Sequence, residues 1–592
     1  NFTFYMIPKV LTGNSVVAYV HFTDNTEITA TLKGEWKAGT TRTLKLSETN
    51  STWSYVLTPT DPSRAAEYDE TTSQPYGITS YRQASDGTKQ AVAWKVVGYD
   101  ADGDGTFSMA EKPAWLTSLS KTEGDGGTAA DQGTATLKKA ELIDLLKQRN
   151  DGLKHATVLG SSSAPYDLSL HDHNGNTTLR NTANSYLISA PGHYRIPLVY
   201  GNAIENGVTN DKSYISHAPT GNPTVLYNFK DHAGHNIDNP WIEKTNGGAN
   251  ASVDGAEVVW ADAANLVSSL SIAHDGGDTF LDFEVKESDI QSGNAVVAVK
   301  KGSTIVWSWH LWFAPKDALD KIPVTNHQGI VYNFTKETLG WKPTQWTGTT
   351  YTSSRTVKVK VEQTVANNGT KAYTVINIIQ NPGGVKKGAT TLYQFGRKDA
   401  FPGVASSALA TNSHFTENAG DNMSIMNGIL NPGKFYTYGS NWSSNYSYYN
   451  LWSADNTTTG FNDNSVVKTV YDPCPAGFKM PASNAFTGFT TTGQDGGATN
   501  VDGTRDWQTY QSNFGHNFWT NSSKTAAINF PASGYLHYSN GSLNGVGDSG
   551  CYWSAVPKYS SDGCYLFFNS SYVKTLNENY RTYGFAARPV SE

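Results

Sequence analysis

Four acids fall within the stretch DADGDGTFSMAE, from Asp100 to Glu111. Their spacing matches the calcium-loop pattern D-x-D-x-D-G-x5-E. Asp100, Asp102 and Asp104 offer oxygens at positions 1, 3 and 5, and Gly105 allows the sharp turn at position 6. Thr106 offers its carbonyl, Ser108 a direct or water-bridged contact, and Glu111 a bidentate carboxylate at position 12. So many carboxylates repel one another without a cation. The expectation is a structural calcium ion, weighed against a solvated acidic turn. The upstream segment QAVAWKVVGY alternates like a strand and Pro113 follows the loop, so the flanking helices of a true EF-hand are not expected.

Other reactive types are sparse. His171 and His173 would share one face of a strand, and His232 and His235 lie three apart. Neither pair has an evident third ligand, so all four read as surface histidines. The three cysteines, Cys474, Cys551 and Cys564, cannot all pair within one chain, and no CxxC occurs. No GxSxG, HExxH or phosphate-binding loop is present. The last residues are more informative. From Tyr572, every second position reads Tyr572, Lys574, Leu576, Glu578, Tyr580, Thr582. The interleaved set, Val573, Thr575, Asn577, Asn579, Arg581 and Tyr583, looks like scaffold. A period of two sends alternate side chains to opposite faces. The mixed row could therefore be displayed while the other set holds the fold; the plain alternative is an exposed loop of accidental variety.

The elements that position these residues are mostly strands. In RTVKVKVEQTV, Val357, Val359 and Val361 alternate with Lys358, Lys360 and Glu362. TEITATLKGEW and TRTLKLSE show the same period. STIVWSWHLWFAP reads as a heavily buried strand ending at Pro315. One helix is expected in LKKAELIDLLKQRNDG, with Leu142, Ile143, Leu145 and Leu146 as its stripe and Gly152 as its stop. Turn-rich stretches suggest boundaries near residues 60, 160, 318 and 385. At 592 residues the chain is too long for one core. It has 16 Trp, 32 Tyr and 23 Phe but only 16% charged residues, which suits a mainly β extracytoplasmic protein. The net charge is −7 and no Lys/Arg block appears, which argues against nucleic acid as a partner. No apolar run reaches membrane-helix length. The opening NFTFYMIP carries no signal peptide, as in a processed secreted chain or a cytosolic one.

Several motifs carry family resemblances. FYMIPKVLTGNSVVAYVHFTD and LKGEWKAGTTRTLKLS resemble the later strands of a fimbrillin domain from Bacteroidetes type V pili. SYLISAPGHYRIPLVYGNAI and IVWSWHLWFAP resemble the Ig-like middle domains of large fimbrillin-family surface proteins. KPAWLTSLSKTEGDGG and TVINIIQNPGG resemble BACON-type modules. YQFGRKDAFPG, YDPCPAGFKMP, INFPASGYLHYSNGSL, CYWSAV and YGFAARPV resemble the C-type-lectin-like fold of the formylglycine-generating-enzyme subtype. Some members of that group are variable proteins of diversity-generating retroelements, with scattered variable positions on a fixed backbone.

The resemblance implies a mainly β, multidomain chain of fimbrillin and Ig-like β-sandwiches followed by a C-type-lectin-like α+β domain. The expected divisions are 1–60 fimbrillin-like, 61–160 Ig/BACON-like with the acidic loop, 161–318 Ig-like, 319–390 BACON/Ig-like and 391–592 lectin-like. The implied ligand-binding set is Tyr552, Trp553, Lys558, Tyr559, Asp562, Cys564, Tyr572, Lys574, Leu576, Glu578, Tyr580 and Thr582. The implied function is a secreted, cell-surface pilus-tip adhesin that binds an unknown protein or glycan on another cell, with other pilus subunits as partners. The alternatives are a structural subunit or cap and, more remotely, an enzyme using Cys551 and Cys564. No substrate-groove motif accompanies those cysteines, so catalysis is not expected.

Overall fold

The computed structural model describes residues 3–11, 17–23, 27–43, 53–71, 74–84, 86–367 and 369–592. Strand makes up 42% and helix 9%, so the chain is mainly β, as expected. Most of TRTLKLSE lies outside the described residues. Among those described, no helix is long and apolar enough to cross a membrane.

The chain forms two compact units, and each is discontinuous in sequence. The first comprises residues 1–143 and 348–384. Its main body is a sandwich of two sheets. One sheet has the order Glu123–Gly124, Trp94–Asp100, Arg355–Asn367, Thr370–Gln380. The other orders Ser54–Thr60, Gln74–Gln83, Gly127–Leu137, Leu116–Leu119. The alternating valines Val357, Val359 and Val361 point into the shared core, against Tyr76, Ile78 and Trp94. Their lysine neighbours face outward, which is the period-2 pattern made physical.

The second unit comprises residues 144–347 and 385–592. Two four-stranded sheets pack together, one centred on Gly192–Pro197 and Asp278–Val285, the other on Gly293–Lys301 and Thr304–Phe313. Trp307, Trp309 and Leu311 fill the space between them. The opposite face of Thr304–Phe313 is covered as well: Trp312 packs in one cluster with Trp260, Phe395, Trp452 and Trp553. A strand covered on both faces reads as an unbroken apolar run, which explains IVWSWHLWF. The second cluster belongs to a seven-stranded sheet in the order Leu543–Val546, Ser533–Leu536, Gly584–Ala586, Gly550–Pro557, Asp562–Phe568, Val573–Tyr580, with Leu392–Gln394 also paired to Gly584–Ala586. Its far face is closed by Phe486, Phe489, Phe518 and Phe530.

These units differ from the expected succession of five domains. Strand Trp94–Asp100 hydrogen-bonds to Arg355–Asn367 across more than 250 residues of sequence, so stretches assigned to separate domains build one sheet. The turn-rich segment near residue 60 is part of that unit, with Ala66 fully buried and bridged to Gln380. The segment near 160 is likewise built in, through Leu159 and Gly192. Near 318 the chain makes a short 3-10 turn, Lys316–Leu319, and continues within the same unit. The division near 385 falls at Gly384. The expected helix is also displaced. Leu142–Asp144 is a short strand, and the helix is Leu145–Lys154. Asp144 sets its start by accepting the Lys147 amide at 2.8 Å. Gly152 lies inside the helix, not at its end.

Candidate functional site

The strand Val573–Tyr580 is the edge of the seven-stranded sheet, paired on one side with Asp562–Phe568. Lys574 stands opposite Phe567 and Asn577 opposite Tyr565. Two residues, Thr575 and Leu576, therefore face a single residue, Leu566. This β-bulge reverses the alternation that follows it. Tyr572 and Lys574 lie on the face of Phe567, whose ring is 5.7 Å from that of Tyr572. Glu578 and Tyr580, opposite Cys564 and Asp562, fall on the other face. The row of alternate residues is thus split in two by one extra residue.

Burial divides the expected binding set further. Tyr552, Trp553, Cys564 and Thr582 are buried, so they form core and not surface. The reason is that both faces of the sheet are covered. Tyr552 donates to the carbonyl of Pro531 at 2.6 Å, and Trp553 Nε1 to that of Tyr393 at 2.8 Å. The Thr582 carbonyl accepts from Gln394 Nε2. Burial pushes the Cys564 thiol up to about 12 and raises Cys551 as well, so both stay protonated. All three cysteines are free.

The remaining members reach solvent. Tyr559 is 54% exposed and Tyr572 44%, and Glu578 is exposed. Lys558, Lys574, Leu576 and Tyr580 are half-buried. Lys558 stacks its ammonium over Phe461 at 4.4 Å. Asp562 is half-buried; its Oδ1 has no hydrogen-bond partner, and burial raises its pKa. The structure brings Tyr580 to two residues that the sequence reading missed. Its ring lies 4.6 Å from Tyr438 and 5.2 Å from Tyr538, and those two are 5.9 Å apart. Tyr438 is 44% exposed while Tyr436 is buried. Phe435, Tyr436 and Thr437 before it are all buried, so no alternation in FYTY signalled Tyr438. Arg581, fully buried, follows Tyr580. Its guanidinium donates to the carbonyls of Tyr448 at 2.6 Å and Tyr559 at 2.9 Å, tying two tyrosine-bearing loops to the strand. The tyrosine trio and Tyr572 sit at opposite ends of the strand, about 26 Å apart at 3.3 Å per residue.

In the first unit, residues 100–111 leave strand Trp94–Asp100 and end in the 3-10 turn Met109–Glu111, as the flanks implied. One carboxylate oxygen from each of Asp100, Asp102 and Asp104 lies within 4.8 Å of the others. The buried Asp100 carboxylate accepts the amides of Gly103 and Gly105. Gly105 takes a φ of +84°, which suits glycine. Glu111 Oε2 lacks a hydrogen-bond partner. Its pKa is raised by burial and then by the fields of Asp102, Asp104 and Asp100. Two details differ from the simple loop. The Ser108 hydroxyl caps the amide of Ala110, and Lys358 Nζ approaches Asp100 at 3.4 Å. The Thr106 amide donates to Asp104 Oδ1. The donor set is all oxygen and suits a hard cation such as calcium.

Of the four histidines expected at the surface, His235 is exposed and the other three are half-buried. His171 and His173 are half-buried, with His171 stacked on Tyr166 at 3.9 Å. His232 is lowered by burial, and His235 lies 3.7 Å from Asp231.

Residues 515–590 match the family model described as "Domain of unknown function (DUF8237)". That span holds the edge strand, its partner and Tyr538. No curated protein and no solved structure matches the chain.

Proposed function

We propose that this chain is a cell-surface adhesin of the fimbrillin-related, pilus-tip kind, whose C-terminal region resembles a C-type lectin in fold and binds its ligand without catalysis. The carrying observation is the clustered trio Tyr438, Tyr538 and Tyr580, the first exposed and the other two half-buried, with Tyr559 held nearby through Arg581. Tyrosines give large, rigid contact area at low entropic cost. Lys558, half-buried over Phe461, adds a cation next to Tyr559. The protonated, buried Cys551 and Cys564 support a non-enzymatic role.

The test is adhesion of beads coated with the full chain to whole bacterial and epithelial cells. Replacing Tyr438, Tyr559 and Tyr580 by Ala should weaken adhesion about tenfold or more, the scale of lost aromatic hot spots. Equal adhesion by wild type and triple variant defeats the reading. The diversifying reading has its own check in the flanking DNA. A near-copy of the last codons beside a reverse transcriptase should differ at Tyr559, Tyr572, Glu578 and Tyr580, and should match at the buried Tyr552, Trp553, Cys564 and Thr582.

Calcium belongs to the same reading. Asp100, Asp102, Asp104 and Glu111 would hold it, and the ion would cancel their repulsion and stiffen the loop. At a hundredfold excess over its Kd, calcium adds about 2.7 kcal/mol to stability. The melting temperature should rise in calcium over EGTA, and Asp102→Asn should abolish the difference. Equal melting in the two buffers would rule calcium out.

A further inference from the structure

A cavity of about 380 Å³ opens in the second unit and shares no residue with the tyrosine surface. Its size falls within the range of small-molecule sites, roughly 300 to 1,000 Å³. One wall is the hairpin that carries His171 and His173, closed by the His171–Thr177 bridge. Asp172 fixes that turn by accepting the amides of Asn174 and Asn176. Behind it, the His171 ring is stacked on Tyr166 with an interplanar angle of 18°. Glu205, from a second hairpin, and Lys316 and Lys321 also line the space.

The chemistry of the lining selects among ligands. His171 Nδ1 lies 2.8 Å from the carbonyl of Asp167. A carbonyl only accepts, so Nδ1 carries the proton and Nε2 is left as an acceptor. Glu592 is already paired with Lys468 at 3.2 Å. The charges left on the wall are Lys316 and Lys321 against Asp172 and Glu205, which balance. A balanced wall gives no net attraction to a strongly anionic or cationic molecule. It does offer donors and acceptors together, beside an aromatic stack. That combination suits a ring with many hydroxyls and an apolar face.

We propose that this cavity binds a neutral saccharide of one or two pyranose rings, seated by the Tyr166–His171 stack and hydrogen-bonded by Glu205, Asp172 and Lys321. The site is separate from the tyrosine surface and does not rest on it.

Saturation-transfer NMR on the full chain tests this, with glucose, galactose, mannose, N-acetylglucosamine and lactose as probes and glucuronic acid and glucosamine as charged controls. At least one neutral sugar should receive saturation. Its affinity should fall about tenfold or more in Glu205→Gln, the scale of a lost charge-assisted hydrogen bond. His171→Ala should do the same, and the exposed-hairpin Glu205→Gln remains informative if His171→Ala misfolds. The Tyr438, Tyr559 and Tyr580 triple variant should bind the sugar as wild type does. Methyl glycosides bound as tightly as free sugars would identify the end of a longer glycan as the source; loss on methylation would identify a free sugar. No transfer from any neutral sugar, transfer from a charged control alone, or transfer unchanged in both cavity variants overturns the proposal.

Discussion

Arg581 is the residue on which the most surface depends. It lies in the interleaved set that the alternation marks as scaffold, and it is fully buried over the ring of Phe395 at 4.8 Å. Burial lowers its pKa to about 10, still high enough to keep the charge at neutral pH. Its planar fork reaches two carbonyls from different loops, which a lysine ammonium on a flexible stem does not reproduce. Arg581→Lys should cost on the order of 2 to 3 kcal/mol, by leaving a buried carbonyl unpaired. Urea denaturation would read this. It should also weaken adhesion, because the Tyr559 loop loses its tether; an unchanged midpoint would show that the fork is dispensable.

The edge strand Val573–Tyr580 shows how one element can serve two ends. An unpaired edge invites pairing with other chains. Here the Leu576 amide is taken by Asp495 Oδ1 at 2.9 Å, and the Thr575 hydroxyl donates to the Gly493 carbonyl. The bulge beside them turns the first half of the row to one face and the second half to the other. Val573 packs in the phenylalanine-rich core, while Glu578 is exposed. Val573→Ala should therefore destabilise by on the order of 2 kcal/mol, through lost burial and a residual cavity. Glu578→Ala should stay within about 0.5 kcal/mol, as surface changes do. Thermal melts of the two variants separate them, and comparable losses would contradict the register described.

At the scale of the whole molecule, two histidines make the second unit acid-sensitive. Burial lowers His310 to about 3 and His516 to about 4, against an ordinary value of 6.5. His310 Nε2 donates to Asn294 Oδ1, and His516 Nε2 to the Asn569 carbonyl. Below pH 6.5 the unfolded chain takes up protons that the folded chain refuses. The stability from keeping these rings neutral is therefore present above that pH and is lost as pH falls, toward 4 for His516 and toward 3 for His310. At 1.36 kcal/mol per pH unit of pKa difference, His516 alone contributes about 3 kcal/mol. Replacing His516 by Gln should flatten the decline in urea midpoint between pH 6.5 and 4; a slope equal to wild type would remove His516 as its cause.

Local periodicity and composition determined much of this protein. The valine alternation at residues 357–361, the apolar run at 304–313, the acidic loop and the mainly β class follow from side-chain type and spacing, which act over a few residues. Tertiary structure decided the rest. The bulge at Thr575–Leu576 reversed a face that a strict period of two would have kept. The second covering layer buried Tyr552, Trp553, Cys564 and Thr582, since burial depends on what packs from far along the chain. The joining of residues 94–100 to 355–367, and of Tyr438 and Tyr538 to Tyr580, rests on contacts across tens to hundreds of residues. No local pattern encodes such partners, because each strand's period says that it has a covered face but not what covers it.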